Sequence, residues 1–171
     1  VAQVSKVGEW VLLSYRLPRE PSTVRVAVWR KLKRLGVVQV LDGLVALPAD
    51  ARTREQLEWI ADEVLAASGE ANVWLARSGS LAQERMFATR MTEAVALDYA
   101  AVVEGAHEAS DLDDFMRGRA LGRLRRELQR IRQRDFFPPK EREQAQRAVD
   151  ALAATVAPKP KAKLNATARR S

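Results

Sequence analysis

The chain has no cysteine in its 171 residues and one histidine, His107. That excludes disulfides, thiolate metal sites and thiol redox centres, and it makes a transition-metal enzyme a poor fit. No apolar run approaches the roughly eighteen residues of a membrane helix. The first residues carry no apolar core of a secretory signal, so a soluble cytoplasmic protein is expected. Aromatic residues make up only 6% of the chain, so each of the four tryptophans can be placed individually. Acids are almost missing from two stretches. Arg16 to Arg34 carries seven cations against Glu20 alone, and Arg117 to Arg134 carries eight arginines against Glu127 alone. A third stretch, Pro158 to Ser171, has five cations and no acid.

The net charge is +7 and the isoelectric point is near 10.2. Such a balance favours nucleic acid, an acidic partner or an anionic membrane surface, and says nothing of fold. The hydrophobic fraction of 47% is enough for a buried core.

Glu9 to Leu17 reads as a strand apolar on both faces, with Trp10, Leu12 and Ser14 one way and Val11, Leu13 and Tyr15 the other. Such a strand is normally covered on both sides. Pro18 to Pro21 stops it, and Ser22 is a candidate N-cap for a helix. Val24, Ala27, Val28, Leu32 and Leu35 form the buried stripe of that helix, and Gly36 ends it. Val37 to Val40 and Leu44 to Leu47 flank Asp42-Gly43, a strong hairpin signal. Thr53-Arg54-Glu55-Gln56 has the form of a capping box for a second helix, closed by Gly69. Ala71 to Ala76 reads as the last strand. The order β-α-β-β-α-β is that of the ferredoxin-like fold.

The second half is helical. A long helix begins behind Ser80 and runs to about Val103, and Gly105 to Asp111 reads as a loop. Asp111 caps an arginine-rich helix reaching about Arg134, with Leu121, Leu124, Leu128 and Ile131 as a narrow seam. Phe136-Phe137-Pro138-Pro139 breaks the run before a third helix, about Lys140 to Val156. The expected organisation is an α+β ferredoxin-like domain over 1–79, a helical extension of about three helices over 80–156 packed on it, and a disordered basic tail over 157–171.

Three constellations bear on function. On the first helix Arg25, Trp29, Arg30 and Lys33 lie opposite the buried stripe, with Arg34 at its edge. They fit a nucleic-acid surface, where cations neutralise phosphates. They fit equally a contact in which the helical extension covers Trp29. Arg16, Arg19, Ser22 and Arg25 cluster around a helix start, which suits a small oxyanion. Alternatively Arg16 pairs with a structural carboxylate and Arg19 is simply exposed. The arginines of 117–134 exceed what an ordinary solvated helix face needs, although some could pair with the acids of Glu55 to Glu63.

Catalysis finds little support. Ferredoxin-like nucleases hold a metal with an aspartate at the end of the first strand, where this chain has Ser14-Tyr15-Arg16. No phosphate loop, dinucleotide fingerprint or nucleophile elbow occurs. No catalytic residue, metal ligand or cofactor is assigned.

The run LLSYRLPREPSTVRVAVWRKLKRLGVVQVLDGLVALP, followed by EQLEWIADEV and VWLAR, resembles the N-terminal domain of the chromate resistance regulator ChrB family. RLRRELQRIRQRDFFP is similar to the region closing that domain, so the likeness covers Trp10 to Pro138. It is also similar, more distantly, to the PaaX repressors with their Cas2-like domain. The resemblance implies a cytoplasmic bacterial protein encoded beside a chromate efflux pump. It further implies a chromate-responsive transcriptional regulator whose N-terminal part binds DNA. Full-length members carry a C-terminal chromate-resistance domain after the RDFFP region, where this chain has a Pro-Lys-Ala tail. Sensing belongs either to that domain or to Arg16, Arg19, Ser22 and Arg25.

The expected function is thus a homodimeric, DNA-binding regulator of a chromate-resistance operon. Its expected contacts to double-stranded promoter DNA are Arg25, Arg30, Lys33, Arg34, Arg123, Arg126, Arg130 and Arg134. The alternative is a small-oxyanion sensor for chromate or sulfate, or an interaction module, without direct DNA binding. No membrane partner is expected.

Overall fold

The structure, a computed structural model, describes residues 8–156. The expected basic tail lies outside the described residues. The elements run β1 (Trp10–Arg16), α1 (Ser22–Leu35), β2 (Val38–Leu41), β3 (Leu44–Pro48), α2 (Ala51–Ala66), β4 (Glu70–Ala76), α3 (Leu81–Ser110), α4 (Asp114–Gln133) and α5 (Glu141–Thr155). The sheet order is β2-β3-β1-β4 with every pairing antiparallel. This is the expected α+β class, a split βαβ sheet followed by helices.

Local chemistry explains most boundaries. Gly43 closes the β2–β3 hairpin at φ 73, and a Cβ there would meet the Tyr15 carbonyl oxygen at 2.5 Å. Gly36 ends α1 in the left-handed region. Three expected caps move, two of them in this half. Asp50, not Thr53, caps α2: its carboxylate accepts from the Thr53 N–H, and the Thr53 hydroxyl accepts from the Asp50 N–H. Thr53 is the far half of a box that begins three residues earlier. Ser22 does not cap α1; Pro21 holds that position and no side chain bonds to the free N–H groups.

The expected loop at Gly105 to Asp111 is instead helix as far as Ser110. Val102, Ala106 and Ala109 keep α3 in contact with α4 and α5. Gly105 lets α4 come close, since a Cβ there would lie 3.1 Å from Leu124. Tertiary burial here outweighs a weak helix former. Asp113 rather than Asp111 then caps α4 by accepting from the Met116 N–H.

Two cores share the chain. In the first, Val11, Leu13, Val45 and Leu47 of the sheet are buried with Val28 and Leu32 of α1 and Leu57, Ile60 and Val64 of α2. Trp10 points the other way and meets Phe87 of α3 edge-on at 5.2 Å and Phe137 at 6.4 Å. This second face is covered at that end and across Ala46 and Val38, where α3 reaches β2, but not toward β4. Leu12 stays half-buried, and Trp74, its partner across β4, is 56% exposed. The expected full cover of both faces of β1 is therefore not found. The second core joins α3, α4 and α5 through residues such as Tyr99, Leu124, Ile131 and Val149. A buried knot reinforces it: Tyr99 donates to Asp135 at 2.9 Å, and Arg142 reaches the same oxygen at 3.3 Å.

Candidate functional site

The outer face of α1 is open. The helix packs on α2 and the sheet, and α3 to α5 do not lie over it. Arg25, Arg30, Lys33 and Arg34 are exposed, and none has an acidic partner among the described residues. Arg34 donates to the Arg30 carbonyl, and Lys33 lies 5.5 Å from the centre of the Trp29 ring. The remaining cation, Lys31, is spent inside the chain on Glu63 at 2.5 Å. Trp29 is half-buried against the sheet core. The covering of Trp29 by the helical half, one of the two readings of this face, is not what is seen.

Beside Trp29 lies a cleft of about 530 Å³, lined by Tyr15, Ser22, Arg25, Trp29, Gln39 and Asp42 among others. Burial, and secondarily the Asp42 carboxylate, pushes the Tyr15 phenol above its ordinary value. The structure brings Ser22 and Arg25 together here but places Arg16 and Arg19 elsewhere. Those two line a separate shallow depression with Ser68, Gly69 and Glu70. Arg16 pairs with Glu70 at 2.6 Å across two exposed side chains. The four residues expected around one oxyanion thus fall into two places, because β1 carries Arg16 past the turn toward β4 while the helix start faces the hairpin.

On α4, Arg123 and Arg126 are exposed without acidic partners among the described residues, and Arg130 pairs with Glu127 at 3.2 Å. Arg119 and Arg125, not chosen from sequence, are exposed and unpaired in the same sense. Arg119 lies over the ring of Phe115, which is 71% exposed. A helical wheel drawn from the seam Leu121–Leu124–Leu128 would have found Arg119, since Phe115, Arg119, Arg123, Arg126 and Arg130 share the opposite face; Arg125 lies nearer the seam.

Arg134 differs from its expected role. Its side chain is only 22% exposed and pairs with Asp98 of α3 at 2.7 Å. It also reaches the Lys33 carbonyl at 3.5 Å. A Cβ on Gly36 would lie 2.7 Å from the Arg134 Cβ. Arg134 is therefore a tie between the C-terminal ends of α1 and α4. Arg117 is likewise inward, donating to the Leu112 and Thr155 carbonyls. Cations at these helix ends also offset the free carbonyls, so the surface charge available to a partner is smaller than the sequence count.

Among the described residues no group of three His, Asp or Glu side chains is placed to hold a metal ion. No helix among them is long and apolar enough to cross a membrane.

The family described as "Protein ChrB, N-terminal" matches residues 25–117. Protein ChrB of Cupriavidus metallidurans is 33% identical over 135 residues, covering 75% of this chain and 40% of the relative. The chain thus spans less than half the length of the curated relative it matches. No solved structure matches it. With the family covering α1, the hairpin, α2, β4, α3 and the start of α4, the chain belongs to the ChrB N-terminal family.

Proposed function

We propose that this chain is the DNA-binding part of a cytoplasmic, chromate-responsive transcriptional regulator of a chromate-resistance operon, that it works as a homodimer, and that it is not an enzyme. The observation that carries the reading is the outer face of α1. Arg25, Arg30, Lys33 and Arg34 stand in solvent without carboxylate partners among the described residues, on a helix nothing else covers. Over that span the helix is about 14 Å long, and duplex DNA presents a negative charge about every 1.7 Å of its axis. Arg123 and Arg126 of α4 supply further cations, and Arg130 adds to them in so far as it leaves Glu127. Family membership supports the regulatory role, and a two-fold operator invites a two-fold protein.

The test is affinity for the promoter of the protein's own operon against random duplex, across a salt series. Preference for the promoter supports regulation. A steep salt dependence with no preference leaves only generic polyanion binding.

The sensor reading retains one observation in its favour, the cleft that holds Ser22 and Arg25. Calorimetry with chromate and with sulfate decides it. Heat that is lost in Arg25→Ala places the effector in this chain, and its absence assigns sensing elsewhere.

A further inference from the structure

Two parts of the surface have no role in the fold or in the α1 face. The first is a groove of about 800 Å³ along α4 and beside Val156. Gly118 and Gly122, one turn apart, leave its floor bare, and exposed Phe115 stands at one end. Arg119, Arg125 and Arg126 rim it without acidic partners among the described residues. Glycine is a poor helix former, and the fold does not require it at either position. A Cβ on Gly118 would come no closer than 3.8 Å to Val156, and one on Gly122 no closer than 3.6 Å to the far end of Arg126. Helix α4 thus holds two unfavourable residues beside a space that no side chain among the described residues fills.

The second is the outer ridge of α2. Trp59 is 61% exposed; Glu55 lies four residues before it and Asp62 three after it, on the same face, with Glu58 next to it in sequence. Glu58 pairs with Arg54, whereas Glu55 and Asp62 are exposed and have no cationic partner among the described residues. The pairing of these acids with the arginines of 117–134, one option from sequence, does not occur within the chain; Lys31 and Arg54 take Glu63 and Glu58 instead. The groove also holds Asp114, whose carboxylate is taken by Arg117, so its free charge is that of three guanidinium groups; an indole flanked by unpaired carboxylates complements it in charge.

We propose that two copies of this chain associate reciprocally, each seating the Trp59 ridge of α2 in the α4 groove of the other. The inference rests on the homodimer reading above and names its interface. A two-fold axis makes the contact twice and closes the assembly. A phosphate backbone would satisfy the arginines but would leave Phe115 and the apolar walls in water. An acidic helix bearing a tryptophan fills both needs.

Sedimentation velocity on the whole chain over a concentration series tests this. Trp59→Ala weakens association roughly thirty-fold or more, as loss of a central interface tryptophan does. Gly122→Leu, which fills the groove, weakens it comparably. Charge reversal gives the sharper signature. Glu55→Arg with Asp62→Arg abolishes self-association, as does Arg119→Glu with Arg126→Glu. Mixing the two variants restores a dimer, because each of its two contacts is again complementary. A chain that stays monomeric at every concentration overturns the dimer reading and this interface together. A dimer indifferent to Trp59→Ala and Gly122→Leu overturns the interface alone. If the reversed arginines lower DNA affinity but leave association unchanged, the groove is a nucleic-acid surface and the proposal fails.

Discussion

The charge on α1 can be measured as a slope. Arg25, Arg30, Lys33 and Arg34 are the cations that the helix offers uncancelled. If all four neutralise phosphates, they contribute about −3.6 to the slope of log K against log salt. Raising salt from about 50 to about 200 mM then lowers affinity about 150-fold through these contacts alone. Arg30→Ala with Lys33→Ala leaves two contacts, a slope of about −1.8, and about a 12-fold loss over the same range. The variant should fold normally, because both side chains are exposed and form no ion pair with a described residue. Lys31→Ala is the internal control: its charge is already matched by Glu63 at 2.5 Å, so the slope should not move. Fluorescence anisotropy on a labelled promoter duplex at five or so salt concentrations reads all three proteins. An Arg30→Ala, Lys33→Ala protein with the parental slope and an intact melting curve refutes the assignment of α1 to phosphate contact.

Gly118→Ala with Gly122→Ala should raise stability by roughly 1 kcal/mol per site, since both are helix interiors with room for a Cβ; a destabilised protein in a urea melt would mean the floor of the groove is part of the core. Tyr99→Phe removes a hydrogen bond to a carboxylate that is fully buried and should cost about 1.5–3 kcal/mol in the same assay. Burial, partly offset by Tyr99 and Arg142, raises the Asp135 carboxyl above its ordinary value. A raised folded value means the native state holds the proton more firmly. That contribution to stability is therefore full below about pH 4 and is lost as pH rises through the raised value. Asp135→Asn should flatten that part of the pH–stability curve, and an unchanged curve would show that another group governs it. Arg134→Ala leaves the partly exposed Asp98 without its partner and should destabilise by about 1–2 kcal/mol while leaving the DNA salt slope within error, if Arg134 is a tie rather than a phosphate contact.

The fold of the first half was legible because each signal there is local. Asp42-Gly43 demands its turn, Gly36 its helix end, and the alternation of Val11, Leu13, Val45 and Leu47 its sheet face. Where distant residues decide, the sequence misleads. Gly105 and His107 read as a loop, yet Ala106 and Ala109 are buried against the helices packed there, and Leu124 lies close over Gly105. Thr53 reads as a cap, yet Asp50 supplies the carboxylate and Thr53 answers it. The same division holds for the site. Exposure of Arg25, Arg30 and Lys33 follows from helical spacing and was found. The inward turn of Arg134 depends on Asp98, thirty-six residues away, and the pairing of Arg16 depends on Glu70, fifty-four away. No spacing rule reaches that far.

Charge on α4 cannot serve two partners at once, and this constrains how the two proposals fit together. The groove takes Arg119, Arg125 and Arg126, while Arg123 and Arg130 lie to the other side of the exposed stripe. A dimer seated in the groove would therefore remove Arg126 from the DNA face and leave α1 as its main source of cations. Arg134 then gains significance beyond stability. By tying the end of α1 to α3 and α4, it would fix each α1 relative to the groove proposed to hold the partner. In such a dimer the spacing between the two α1 helices would be a property of the assembly rather than of a flexible joint. Rigid spacing is what lets a symmetric protein distinguish half-site separations. Among Arg134→Ala molecules that remain folded and dimeric, discrimination between operators of different half-site spacing should fall while affinity for a single half-site is kept. Equal loss at every spacing would show that Arg134 acts only through overall stability.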